Sequence, residues 1–200
     1  MSGAAPLKEP LPALVVGARL RLELFRADAV GAIGALVDRS RPTLSQFLGW
    51  AMDPIDAAAE AAVQADMERR WRAGLDAGWM IVEDGAPRGM LGLHRRGGHD
   101  ELEIGYWLDD AASGRGVMTE ACTMATDVAF GIEGIGVVEI VHDAANRRSA
   151  AVPGRLGFSR VAAFSSTPVA PQESGIKVRW TTTRRAWLKS HPTSSVLSAT

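Results

Sequence analysis

The sequence predicts a mixed α/β (α+β) fold, and three observations point to it. Arg19-Leu20-Arg21-Leu22-Glu23-Leu24 alternates polar and apolar residues at period two, the pattern of a strand with one buried face. Residues 28–74 instead carry their apolar side chains at helical spacing. Three short strand-like runs then follow at 79–82, 88–94 and 101–108. They are separated by Glu83-Asp84-Gly85 and by Arg95-Arg96-Gly97-Gly98, as expected of antiparallel neighbours joined by turns.

Within the helical stretch, 28–37 predicts one helix. A second, short one is predicted over 43–50, started after Pro42 and carrying Leu44, Phe47, Leu48 and Trp50. A long Ala- and Glu-rich helix is expected over 53–74, with Asp53-Pro54 as N-cap and first-turn proline and Gly74 to close it. After the three strands, Ser113-Gly114-Arg115-Gly116 leads into a helix over 117–130 with Met118, Ala121, Cys122, Ala125 and Phe130 on one face. A strand over 137–142 follows. The helix over 146–156 contains Pro153 and Gly154, which should kink it or end it early. Strands over 159–164 and 175–183 complete the pattern. Residues 1–17, rich in Pro and Ala, and 189–200 read as flexible tails around a single domain, 18–188, without internal repeat or linker.

The composition, 46% hydrophobic and 22% charged, suits one compact domain. A formal charge of −1 gives no reason to expect nucleic acid or an anionic membrane as partner, so any anion site must be local. Cys122 is the single cysteine, which rules out an intramolecular disulfide. The first residues lack a secretory pattern, and no apolar run approaches the ~20 residues that cross a bilayer. The expected location is the cytoplasm.

The most informative segment runs from Glu103 to Ala121: a strand, a glycine-rich turn and a helix start. Gly114 and Gly116 permit backbone conformations closed to other residues, so that successive N–H groups can converge on one concavity beside the positive end of the helix. Such a cradle suits a diphosphate, with Arg115 adding charge and Thr119 a hydroxyl. A Gly-x-Gly turn also serves as a plain strand-to-helix connection. A dinucleotide fingerprint would need Gly or Ala where Thr119 stands, and a P-loop would need Gly-Lys-Ser/Thr. The loop also follows antiparallel strands near mid-chain rather than an early βαβ unit.

Gly105-Tyr106-Trp107-Leu108, Gly114-Arg115-Gly116-Val117-Met118-Thr119-Glu120-Ala121, Asn146-Arg147-Arg148-Ser149 and Leu156-Gly157-Phe158, in this order, resemble the GNAT superfamily of N-acyltransferases. Within it they resemble the branch that acetylates ribosomal-protein N-termini. Residues 36–50, with Ser40-Arg41, Leu44, Phe47-Leu48 and Trp50, are similar to that branch's acceptor-side helices. The resemblance implies a mostly antiparallel central sheet of six to seven strands flanked by helices, with the strands at 101–108 and 137–142 splayed apart. It further implies that acetyl-coenzyme A, or another acyl-coenzyme A such as succinyl-coenzyme A, is the cosubstrate and that no metal is used. The backbone of Trp107 and Leu108 would hold the pantetheine. Residues Gly114, Arg115, Gly116, Val117, Met118 and Thr119 would hold the pyrophosphate, and Asn146 and Ser149 would touch the cofactor near its pantetheine. Homodimerisation is expected at the same family level.

Two positions depart from the superfamily pattern. Ala111 stands where Gln or Arg usually precedes the first glycine, removing one phosphate contact. Pro153 stands where a tyrosine often protonates the departing thiolate, which leaves the Ser149 hydroxyl as the natural acid. An amine must be neutral to attack a thioester, and a carboxylate in a partly desolvated cleft is suited to take its proton. Glu103 is the candidate base, although a solvent-facing strand carboxylate fits the same position. Glu139, Glu101 and Glu173 are weaker choices. Trp50, His94 and Tyr106 are candidates for contact with the acceptor amine. Trp50 and Trp71 fit the core equally well, and His94 a strand end. His94, His99 and His142 lack metal-ligand spacing, and Cys122 sits on an apolar helix face as a structural thiol.

The lead expectation is therefore acyl transfer to a primary amine, either a protein N-terminus or a small molecule such as an antibiotic, polyamine or amino acid. A non-catalytic acyl-coenzyme A sensor is the reading of another class, and a nucleotide-binding α/β protein is a third.

Overall fold

The computed structural model describes residues 6–54, 56–96, 98–192 and 197–199. Its strands are β1 (Leu14–Val16), β2 (Leu20–Leu24), β3 (Asp76–Glu83), β4 (Ala86–His94), β5 (Glu101–Leu108), β6 (Val137–Asp143), β7 (Ser159–Ser165), β8 (Ile176–Thr183) and β9 (Leu197–Ala199). Its helices are α1 (Val30–Leu44), α2 (Ala57–Arg72), α3 (Val117–Gly131), α4 (Arg147–Arg155) and α5 (Arg184–Ser190). All strands join one sheet in the order β7-β8-β6-β5-β4-β3-β2-β1-β9. Every pairing is antiparallel except β5 with β6.

Alternation at period two explains the layers. Leu102 and Ile104 of β5 and Val138 and Ile140 of β6 face α3, whose Ala121, Cys122 and Ala125 are buried against them. On the opposite face Met80, Met90 and Trp107 pack beneath Phe25, Ile33 and Leu36. Helices α1 and α2 cover that side through contacts with β4 and β3.

β5 and β6 are in register over only three pairs, Glu101 with Val137, Leu102 with Val138 and Glu103 with Glu139. Beyond them β5 stays on β4 and β6 stays on β8, so the expected splay opens after Glu103 and Glu139.

The tails need correction. Leu11 and Val15 are buried, the Trp71 and Trp79 indoles donate to the carbonyls of Leu11 and Pro12, and 14–16 is a strand. This Pro- and Ala-rich segment is ordered by the burial of Leu11 and Val15 and by the Trp71 and Trp79 indoles that donate to its carbonyls. At the other end, Ser190 closes α5, and β9 pairs with β1. These two end strands bring the sheet to nine rather than six or seven. Residues 1–5, 193–196 and 200 lie outside the described residues.

Three helix boundaries also move. Pro42 sits in the last turn of α1 rather than starting a new helix, and a 3₁₀ turn, Gly49–Ala51, replaces the helix expected over 43–50. Asp56, not Asp53, caps α2 by accepting from the Ala59 N–H at 2.8 Å. α4 continues through Pro153 to Arg155. Proline there deprives the Ser149 carbonyl of its i+4 donor, and the Tyr106 hydroxyl supplies the missing bond at 3.1 Å. The proline thus costs the helix little, and α4 is pinned to β5 near the splay.

Candidate active site

The turn between β5 and α3 begins with a tethered carboxylate. Asp109 is buried and accepts from Ser40 Oγ at 3.1 Å and Arg39 Nη2 at 3.0 Å, which ties α1 to the loop. Burial pushes its carboxyl up, but the bonds from Arg39 and Ser40 outweigh burial and hold it below the usual range. Gly114 and Gly116 then adopt φ of +77° and +79°, with open space where a Cβ would stand. The N–H groups of 114, 115 and 116 have no backbone acceptor among the described residues. Those of Val117, Met118 and Thr119 are the uncapped first donors of α3, since Gly116 has no side chain to cap them. Six consecutive donors at a helix N-terminus, bordering a groove of 710 Å3, make a site that phosphate or diphosphate fits. Val117 and Met118 contribute backbone only, because their side chains are buried in the core.

Arg115 turns its guanidinium onto a residue that sequence reasoning missed. Glu83, only 3% exposed at its side chain, receives Arg115 at 2.8 Å, Arg19 at 3.2 Å and Arg88 at 3.2 Å. Arg19 also pairs with Glu120 at 2.9 Å and, with Arg155, borders the groove. The chain marks Glu83 only as the first residue of a turn, and pairing across the sheet brings the three arginines to it.

On the α4 side, Ser149 Oγ lies 3.0 Å from the Tyr106 hydroxyl. Burial, chiefly, pushes the Tyr106 phenol up and keeps it neutral. The Asn146 side-chain oxygen accepts from the Ser149 N–H at 3.1 Å, so its first task is to cap α4.

The α1/α2 face of the sheet carries a cleft of 790 Å3. Its floor follows from three cross-strand rows. Gly78, Gly92 and Gly105 stand side by side on β3, β4 and β5. Beyond them come Met80, Met90 and Trp107, and on the near side a titratable row of Asp76, His94, Glu103 and Glu139. Trp50 stacks at a tilt on Trp107, with ring centroids 6.2 Å apart, and forms one wall. Of the predicted acceptor contacts, Trp50, His94 and Tyr106 all border the cleft, although the Tyr106 hydroxyl is bonded to Ser149 on the other side of the sheet. Trp71 packs on the core.

Glu103 stands at the mouth of the splay, 20% exposed, with Arg96 3.9 Å away. Glu139 beside it is more buried and pairs with Arg179 at 3.1 Å. Burial first, then the charges of Glu103 and Glu101, push its carboxyl up against the pull of Arg179. Glu173 is occupied in the loop before β8, where it pairs with Lys177 and accepts from the Val169 and Ala170 N–H groups. Cys122 is fully buried, which pushes its thiol up and keeps it inert. Among the described residues no three His, Cys, Asp or Glu side chains gather as a metal site would require. No helix among them is long and apolar enough to cross a membrane.

Asp76 anchors the row from β3, bound by Arg70 and 3.5 Å from His94 Nδ1. Burial pushes its carboxyl up, but bonds from His94 and Arg70 win and hold it at about 2, against 3.8 for a free group. A depressed carboxylate stabilises the fold above its unfolded pKa and loses that contribution as pH falls through the folded one. Wild type should therefore lose about 2 kcal/mol more than Asp76→Asn between about pH 5 and pH 2, read from denaturant midpoints.

Residues 19–159 match the Acetyltransferase (GNAT) domain. YdaF of Bacillus subtilis (strain 168), provisionally named a ribosomal N-acetyltransferase, is 28% identical over 147 residues, covering 72% of this chain and 79% of its own. Two solved structures share the fold at 18–19% identity. RimL, a ribosomal L7/L12 alpha-N-protein acetyltransferase in complex with coenzyme A, aligns with a TM-score of 0.78 over 88% of this chain and 98% of its own. Mycobacterium smegmatis RimJ in complex with a coenzyme A disulfide aligns with a TM-score of 0.78 over 92% and 97%. The match spans the splay, the amide cradle and α4, and this chain belongs to the GNAT acetyltransferase family, whose members are acyl-coenzyme A-dependent transferases.

Proposed function

We propose that this enzyme transfers an acetyl group from acetyl-coenzyme A to the α-amine of a protein N-terminus in the cytoplasm. The observation that carries the reading is the glycine row. Gly78, Gly92 and Gly105 stand between a carboxylate-rich row and a wall of Trp50 and Trp107, with the Met67 methyl seated over Gly78 and the His94 ring over Gly92 and Gly105. The cleft of 790 Å3 above them has room for the end of a chain whose terminal ammonium is drawn toward the carboxylates. The names of YdaF and RimL, both tied to ribosomal N-acetylation, support the same acceptor class.

The amides of Gly114 to Thr119 would hold the cofactor's pyrophosphate. The backbone of Trp107 and Leu108 on the open edge of β5 would hold its pantetheine, and the Asn146 amide and Ser149 would lie alongside. Bound there, the cofactor supplies an acyl thioester at the splay. With the Tyr106 proton given to the Ser149 carbonyl, the Ser149 hydroxyl donates to the Tyr106 oxygen at 3.0 Å and rotates from it to give its proton to the leaving sulfur. The proton of the acceptor passes to the titratable row, in which Glu103 is the sequence-derived candidate.

A thermal-shift titration with acetyl- and succinyl-coenzyme A, free coenzyme A, NAD and ATP tests the cofactor. A ligand at ~100 times its dissociation constant adds about 2.7 kcal/mol, which raises the midpoint by roughly 5 to 10 °C. Mass spectrometry with peptides bearing N-terminal Ser or Ala, run beside polyamines and free amino acids, tests the acceptor. Acetylated peptide is the expected product. Turnover of small amines alone would overturn the N-terminal acceptor, and binding without turnover would make the chain a sensor.

A further inference from the structure

We propose that His94, held by Asp76, is the group that takes the proton from the acceptor's ammonium. The inference rests on the acyltransferase reading and identifies the base within it. Asp76, His94, Glu103 and Glu139 form one cross-strand row over four strands, and only two of these side chains, those of Asp76 and His94, line the cleft. Glu103, the carboxylate singled out from the sequence, is absent from the lining and faces Arg96.

His94 is placed for the task by both ring nitrogens. Nδ1 faces Asp76 Oδ1 at 3.5 Å, with Asp76 fixed from behind by Arg70. Nε2 lies over the glycine floor, 2.5 Å from where a Cβ on Gly92 would stand and 3.4 Å from one on Gly105. It has no hydrogen-bond partner among the described residues. The two glycines therefore make room for the imidazole, and they lie in the slot assigned to the acceptor. A proton on Nδ1, beside an Asp76 oxygen that also accepts from the Arg95 N–H at 3.2 Å, leaves the lone pair of the ring on Nε2, facing the cleft.

The step balances without a further reactant. One N–H bond of R–NH3⁺ breaks, its electron pair stays on nitrogen, and an N–H bond forms at Nε2. Charge moves from ammonium to imidazolium, opposite Asp76, and the ring's 21% exposure lets the proton leave to water afterwards. The charged groups around the ring are Asp76 on β3, Glu103 on β5, Glu139 on β6, Arg96 after β4, and Arg70 and Asp66 on α2. Glu103, Glu139 and Asp66 are paired with Arg96, Arg179 and Arg69, and of the four carboxylates Asp76 is the one within 4 Å of a ring nitrogen.

The decisive experiment pairs kinetics with NMR of histidine labelled with ¹⁵N. Rates with acetyl-coenzyme A and an N-terminal Ser peptide, measured across pH for wild type, His94→Gln, Asp76→Asn and Glu103→Gln, should show a drop of about 10²-fold in kcat for His94→Gln. In Asp76→Asn kcat should fall by a smaller factor than in His94→Gln, since the ring stays but loses the carboxylate beside Nδ1. Glu103→Gln should lower kcat by less than His94→Gln does. The coenzyme A thermal shift should persist in His94→Gln, and its absence from wild type would defeat the parent reading instead. NMR of wild type decides the base independently of turnover and of how the variants fold. The Nδ1–H tautomer is expected, and an Nε2–H tautomer would overturn the proposal. So would a larger loss of kcat in Glu103→Gln than in His94→Gln.

Discussion

Gly116→Asp should fold normally and lose coenzyme A. Position 116 is the N-cap of α3 and adopts φ +79°, which strains a residue with a Cβ by about 1 kcal/mol, although Asp tolerates this region better than most. A Cβ there meets nothing within 4 Å. Asp is also among the best N-cap residues, and its carboxylate can accept from the free N–H groups of Met118 or Thr119, returning about 1 kcal/mol. The fold should break even. The same carboxylate would occupy the cradle and oppose the diphosphate, and a like-charge contact of several kcal/mol weakens binding by roughly 10²- to 10³-fold. In a thermal-shift titration the midpoint of the free protein should move little while the coenzyme A shift disappears. Gly116→Ala is the control, since it carries the strain without the charge and should keep binding within about tenfold. A full coenzyme A shift in Gly116→Asp would place the phosphates elsewhere.

That loop was legible because its signal is local. Gly114 and Gly116 announce positive φ, and the apolar spacing from Val117 onward announces the helix they open, so the six donors follow from a dozen consecutive residues. The strands at 79–82, 88–94 and 101–108 were equally legible, since alternation and turn residues are short-range properties. What stayed hidden depended on distant partners. Residues 11–16 read as a tail because their order comes from Trp71 and Trp79, some sixty residues away in sequence. Pro153 suggested a broken helix because the donor that repairs α4 is a tyrosine on β5. The titratable row and the glycine row are invisible for the same reason. Asp76, His94, Glu103 and Glu139 become neighbours only once three registers are fixed. Glu103 therefore drew attention as a lone carboxylate on a recognisable strand, and its relation to His94 emerged only from the sheet.

Glu83→Gln should produce the largest loss of stability, and its recovery should report on the phosphate site. The Glu83 carboxylate is buried and collects Arg19, Arg88 and Arg115, of which only Arg88 is mostly covered. Breaking a fully buried pair costs 3–5 kcal/mol, and the half-exposed guanidiniums of Arg19 and Arg115 reduce this to about 2–3 kcal/mol. At this chain length the midpoint should fall by roughly 4 to 12 °C. Glutamine keeps the volume but removes the charge, so the loss measures the guanidiniums left facing one another rather than a cavity. Arg19 borders the groove beside Gly114 and Gly116, and Arg115 lies between those glycines. An anion bound there can replace the missing carboxylate. Sulfate or coenzyme A should therefore raise the midpoint of Glu83→Gln by more than that of wild type, whereas chloride at matched ionic strength should not. Equal shifts in the two proteins would separate Glu83 from the cofactor loop and leave it a purely structural ion pair. A larger shift in the variant would show that the protein's own carboxylate and the ligand's phosphates are counter-ions for the same arginines, which keeps Arg115 in place before the cofactor arrives.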